Sequence, residues 1–139
     1  MDMKSIRDFF NREDSFAGHN GMTLTEVGDG YARAEMDLQP YHLNGAKTVH
    51  GGALFTLADF ALAAASNSSG QLALSINSSI SIFRGANQGK LIAECRAVSS
   101  TAKLASFEVR VCNQKGDLLA TFQGMTYRKN VSLDELLPR

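Results

Sequence analysis

Asp59 is the only charged residue between Gly51 and Ser66, a stretch otherwise built mainly from alanine, leucine and phenylalanine. A charged side chain in apolar surroundings is costly unless it is paired or hydrogen-bonded. Such an acid either faces a polar gap or caps a nearby loop, or it is a carboxylate held in a cleft for general-base or nucleophilic work. Its neighbours favour the second reading. His50-Gly51-Gly52 opens the same segment. The first amide N–H groups of a helix have no internal partner, and the helix dipole makes that end electropositive. Glycines there let a ligand carbonyl approach the backbone closely. The combination makes an oxyanion site for a carbonyl oxygen that gains charge during reaction.

Spacing constrains how the two ends cooperate. Asp59 is seven residues beyond Gly52, about 10.5 Å along a helix axis. A carboxylate cannot span that gap to a carbonyl held at its own helix start. A second, antiparallel copy of the helix would bring Asp59 of one chain towards Gly51 of the other. The spacing therefore predicts a site shared across a two-fold dimer.

These residues need a scaffold. Gly51 to Ser66 leaves almost no polar face, so a helix of roughly 24 Å, buried on all sides, is expected. Met3, Ile6, Phe9 and Phe10 recur at helical spacing and predict a short amphipathic helix. Met22 to Val27 reads as a strand, Asp29-Gly30 as a turn, and Tyr31 to Gln39 as a half-buried strand by its clean alternation. A polar loop spans Pro40 to Val49. Four long strands follow: Leu72 to Arg84, Lys90 to Ser99, Ala102 to Asn113 and Leu118 to Lys129, with turns at Gly89, Ser99-Ser100 and Lys115-Gly116. Ser132-Leu133-Asp134-Glu135 has the form of a capping box. The expected fold is α+β: an antiparallel sheet of five to six strands wrapped around one long central helix, as a single domain over residues 1–139.

Composition narrows the partners. The chain has 139 residues, 14 basic and 14 acidic, and a formal net charge of +0. Proteins that grip nucleic-acid backbones are usually basic, so no nucleic acid is expected. The N-terminus lacks the apolar core of a signal peptide, and no run approaches the ~18 apolar residues of a membrane helix. A cytoplasmic protein without a membrane partner is expected, and the sequons at Asn67, Asn77 and Asn130 then carry no meaning. Cys95 and Cys112 read as buried, reduced thiols. His19, His42 and His50 do not fall at metal-ligand spacing. No metal and no cofactor are expected. Ser66 lacks a Gly-x-Ser-x-Gly elbow, and Gly28-Asp29-Gly30 is a turn rather than a phosphate loop.

His50-Gly51-Gly52-Ala53-Leu54-Phe55-Thr56-Leu57-Ala58-Asp59, followed by Phe60 to Asn67, resembles the signature of hotdog-fold thioesterases of the phenylacetic-acid-degradation (PaaI-like) type. The resemblance runs from about Thr23 to Arg128. It implies hydrolysis of an acyl-CoA to a free acid and CoA by a homodimer or a dimer of dimers. The Gly51 N–H would polarise the thioester carbonyl, helped by Asn44 or His50, with Gly52 beside the substrate. Asp59 of the partner chain would activate a water or attack directly, and Ser75 would help orient that water. Phosphates of coenzyme A would meet Arg84-Gly85, where Gly85 replaces the family's usual proline, and Lys103, which follows Ser100-Thr101 where relatives often carry Gly-Arg. A hotdog module that binds acyl-CoA without turnover is the alternative. A dehydratase or hydratase fits less well, because the only helix-associated histidine, His50, precedes the glycines.

Overall fold

The computed structural model describes residues 1–137. Helix α1 (Met3–Glu13) and a short α2 (Ser15–His19) precede strands β1 (Met22–Gly28) and β2 (Tyr31–Asp37). A single 3-10 turn (Pro40–His42) leads to helix α3 (Gly51–Ser66), and β3 (Gln71–Ile82), β4 (Lys90–Ser100), β5 (Leu104–Asn113) and β6 (Leu118–Ser132) complete one sheet. All neighbours in the order β1-β2-β4-β5-β6-β3 are antiparallel. This is the α+β architecture predicted, with six strands around one long helix.

The elements form for local reasons. Asp2 caps α1 by accepting from Ser5 N. Asp14 ends α1 and restarts the chain as α2, its carboxylate accepting from Ala17 N at 3.0 Å. The apolar periodicity did not separate these two helices, because one acidic cap makes the break. Strand β3 stops at Ile82 rather than Arg84: the N–H groups of Phe83 and Arg84 both turn to Leu119 O, at 2.7 and 3.2 Å. Strand β6 runs to Ser132, where the predicted capping box opens the last turn, with Ser132 N donating to Glu135 Oε2 at 2.7 Å.

Helix α3 packs Leu54, Leu57, Phe60, Ala61 and Leu62 against inward-facing residues of the sheet, among them Ala34, Ala93, Val109 and Phe122. Each large side chain buried this way contributes about 1.5–3 kcal/mol. Gly124 on β6 makes room for this packing: a Cβ there would lie 2.4 Å from Leu62 Cδ1, and the leucine would have to shift.

Two expectations about burial change. Cys95 is buried, which pushes its thiol up to about 12, whereas Cys112 is half-buried. Helix α3 is not covered all round. Gly52 and Phe55 are exposed, and Thr56, Asp59 and Ala63 are half-buried. Their spacing places them on one stripe of the helix. The alanines pack the other sides, but the sheet of one protomer does not reach this stripe.

The two sheet edges differ. Along β1, Asn11 of α1 accepts from Leu24 N at 2.8 Å and donates to Leu24 O at 3.0 Å. The edge on β3 has no such cover among the described residues, and Leu74, Ile76 and Ile82 stand exposed on it. Among the described residues, no helix is long and apolar enough to cross a membrane.

Candidate active site

The segment before α3 is fixed at several points. His42 is buried, with Nε2 2.7 Å from Asn20 O and Nδ1 accepting from Gln39 N at 3.0 Å. Its carbonyl accepts from His50 N at 2.8 Å. Asn44 folds its loop onto itself, its Oδ1 accepting from Ala46 N and Thr48 N. Its amide nitrogen is thereby left for other partners. His50 is the N-cap of α3, and its Nδ1 accepts from Gly52 N at 2.8 Å. Of the residues expected at the helix start, His50 meets Gly52, whereas Asn44 bonds within its own loop. The Gly52 amide is spent on the imidazole, so Gly51 N–H is the donor left open there.

Arg84-Gly85 adjoins this end. Ala86 O accepts from Val49 N at 2.7 Å and from Thr48 Oγ1 at 3.3 Å. A Cβ on Gly85 would sit 2.4 Å from Thr48 Oγ1, so glycine is needed for the two segments to lie this close. Exposed Arg84 pairs with Asp117 at 3.3 Å. Beside the helix start, Phe16, Met22, Tyr41, Ala53 and Phe55 line much of a largely apolar hollow of about 380 Å³, with His50 and Gly52 at its wall.

Asp59 lies two turns on, on the open stripe. Ser75 on β3 donates to its Oδ1 at 3.5 Å. Burial is the largest influence on this carboxyl and raises its pKa above the ordinary value; the charge of Asp14 adds to the rise and the Ser75 hydroxyl opposes it. A base raised in this way is a stronger proton acceptor once ionised.

Asn67 holds the geometry. It is buried, and its amide nitrogen donates to Ala63 O at 2.7 Å and Ala73 O at 3.1 Å while its Oδ1 accepts from Ala73 N at 2.8 Å. The end of α3 is thus tied to β3 two residues before Ser75. In the sequence Asn67 figures only as a sequon and as the end of the signature stretch, with no role given to it; its place directly after the apolar helix was the available signal.

Lys103 is elsewhere. Its ammonium lies 6.0 Å from the Tyr127 ring centroid, and its carbonyl accepts from Arg128 N. Arg128 pairs with Ala73, near the Ser75 end of β3, whereas Arg84 follows the other end of that strand. One protomer does not bring the two basic residues together. Among the described residues, no three His, Cys, Asp or Glu side chains gather as a metal set.

The sequence and the fold are similar to those of known proteins. The family model described as "Thioesterase superfamily" matches residues 46–120. A protein of Archaeoglobus fulgidus that carries a provisional esterase name is 38% identical over 129 residues, covering 92% of this chain and 84% of the relative. Acyl-coenzyme A thioesterase PaaI of Escherichia coli K12 is 30% identical over 116 residues, 83% of each chain. The solved structure of the E. coli PaaI protein from the phenylacetic acid degradation operon superposes with a TM-score of 0.89 at 26% identity, covering 93% of this chain and 94% of that one. The chain belongs to the thioesterase superfamily, as a PaaI-like hotdog protein and a thioester hydrolase.

Proposed function

We propose that the protein hydrolyses acyl-CoA thioesters at a site that two copies of the chain, each one hotdog domain, build together. The observation that carries this reading is the Ser75–Asp59 pair on a helix stripe that one protomer leaves open. In that site the carbonyl oxygen accepts from Gly51 N–H of one chain. Asp59 of the other takes a proton from water as the water oxygen bonds to the carbonyl carbon. The tetrahedral intermediate then collapses, the carbon–sulfur bond breaks, and the CoA sulfur leaves with the electron pair and takes the proton held by Asp59, which restores the carboxylate. Free acid and CoA are the products. Charge on the oxygen grows only in the transition state, so an amide aimed there accelerates the reaction rather than merely tightening binding. Direct attack by Asp59 would instead pass through an anhydride that water then opens.

The sheet edges support the pairing. Asn11 occupies the β1 backbone at Leu24, which leaves β3 as the edge free to continue into a second sheet. Two-fold pairing along β3 sets the Gly51 end of one chain beside the Asp59 end of the other. It also brings Arg84 of one chain and Lys103 of the other to the same site, where both can meet CoA phosphates. The apolar hollow beside Gly52 suits the acyl group.

The test is release of free thiol from a panel of acyl-CoAs by the wild type and by Asp59→Asn. Turnover by the wild type and its loss in the variant support the reading. Tight acyl-CoA binding with no thiol release from any substrate would make the protein a binding module instead.

A further inference from the structure

Thr126 is 1% exposed, and its hydroxyl has no hydrogen-bond partner among the described residues. Buried hydroxyls are nearly always paired, because leaving one unmade forfeits its hydration for nothing. The position makes this more notable. Thr126 lies on the inner side of β6, in alternation with Phe122 and Gly124. Its register partners are Ala105 on β5 and Ser75 on β3. Alanine offers no side-chain partner. Directly opposed residues of an antiparallel pair hold their Cβ atoms roughly 4.5–5.5 Å apart, so rotation about χ1 brings the two hydroxyls within reach.

Ser75 is the residue that holds Asp59, at 3.5 Å, longer than the ~2.7 Å of a well-made hydroxyl bond. A serine hydroxyl has one proton and two lone pairs. Nothing else among the described residues obliges that proton to point at Asp59. A β-bulge between Ser75 and Asn77 re-aims the strand just here.

We propose that Thr126 is a positioning residue for the catalytic carboxylate: its hydroxyl donates to Ser75 Oγ, which commits the Ser75 proton to Asp59. The chain Thr126 to Ser75 to Asp59 satisfies the buried hydroxyl, shortens the bond to the carboxylate by mutual polarisation, and fixes which carboxylate oxygen stays free for water. Thr126 does not touch substrate. The other influences on Asp59 are independent of it: Asp14 acts from the α1–α2 junction, and Arg128, two residues along β6, is engaged by Thr101 O and Ser100 Oγ.

This inference rests on Asp59 being the general base. The test compares Thr126→Val, which keeps the shape and deletes the hydroxyl, with Thr126→Ser, which keeps the hydroxyl. In Thr126→Val, kcat should fall about two- to tenfold, the worth of one hydrogen bond, with KM and melting temperature held. The acidic limb of the kcat–pH profile should move to higher pH. Thr126→Ser should restore both, and Thr126→Val should add nothing in a Ser75→Ala background. Thr126→Ala is the second variant and must reproduce the loss and the limb shift. Wild-type kcat and an unmoved limb in the valine and alanine variants, with Asp59→Asn inactive, would overturn the inference alone. So would independent, multiplying effects of the Ser75 and Thr126 changes. Full activity of Asp59→Asn would overturn the general-base reading instead.

Discussion

His50 Nδ1 accepts the Gly52 amide proton at 2.8 Å, so the imidazole caps the helix that it precedes. A neutral ring in this bond carries its proton on Nε2. One residue thus stabilises the helix start and leaves Gly51 N–H as the open donor. His50→Ala should cost about 0.5–2 kcal/mol, the usual worth of an N-cap, read by urea unfolding. His50→Ser, another good cap, should recover most of it. A serine variant as unstable as the alanine variant would show that the imidazole is not the cap.

Asp59→Asn should lower kcat by about 10²–10⁴. It should not destabilise the fold at neutral pH. A carboxyl whose folded pKa is raised contributes stability that is full below the ordinary carboxylate range and lost as pH rises through the folded value. The amide removes that dependence. The variant should therefore match or exceed the wild type in melting temperature at pH 7, and its relative advantage should shrink in acid. A neutral-pH melting temperature far below the wild type would mean that the carboxylate is a structural partner.

The charge of Asp14 raises the pKa of Asp59. Asp14→Asn retains a side chain able to cap α2 and deletes the charge. The acidic limb of kcat/KM should move to lower pH while the plateau stays put. Ser75→Ala should move the limb the opposite way and lower the plateau, because the Ser75 hydroxyl favours the ionised form. A limb unmoved by either change would assign it to another group.

Complementation tests the shared site. Gly51→Pro deletes the open amide proton at a first helical position that tolerates proline, though Ile82 Cδ1, 3.3 Å from a Cβ there, must shift slightly. Gly51→Pro and Asp59→Asn should each be inactive alone. Unfolded and refolded together in equal amounts, they should recover about a quarter of wild-type activity, since half the dimers are mixed and each holds one intact site. No recovery from a mixture shown to exchange subunits would place both residues in one chain's site.

Much of this was legible in the sequence. The limits of α3 follow from the glycines that open it and the apolar run that ends at Ser66, and most strands are set off by turn residues. Ser75 entered only through the family resemblance, as an aid to orienting the water; its 3.5 Å contact with Asp59 comes from the fold. Other features depend on register and cover, which no local pattern encodes. The open stripe on α3 is masked in its composition, because Phe55 and Ala63 lie on it beside the polar Thr56 and Asp59. Arg84 and Lys103 carry equal charge in the sequence, yet the β3–β6 ladder sends them to opposite ends. Thr126 is one polar letter in an inward alternation, and only the register with Ser75 gives it a neighbour.

The uncovered edge of β3 bears on how the protein fails. It is a twelve-residue strand with Leu74, Ile76 and Ile82 exposed, and Phe83 follows just beyond. Such an edge is a template for indiscriminate strand addition and aggregation. Asn11 quenches that hazard on β1, but nothing in the described protomer does so on β3. Changes that weaken whatever covers β3 would send the chain into inclusion bodies rather than yield a soluble, inactive form. Low yield of a β3 variant is therefore a report on that edge, and says nothing about catalysis.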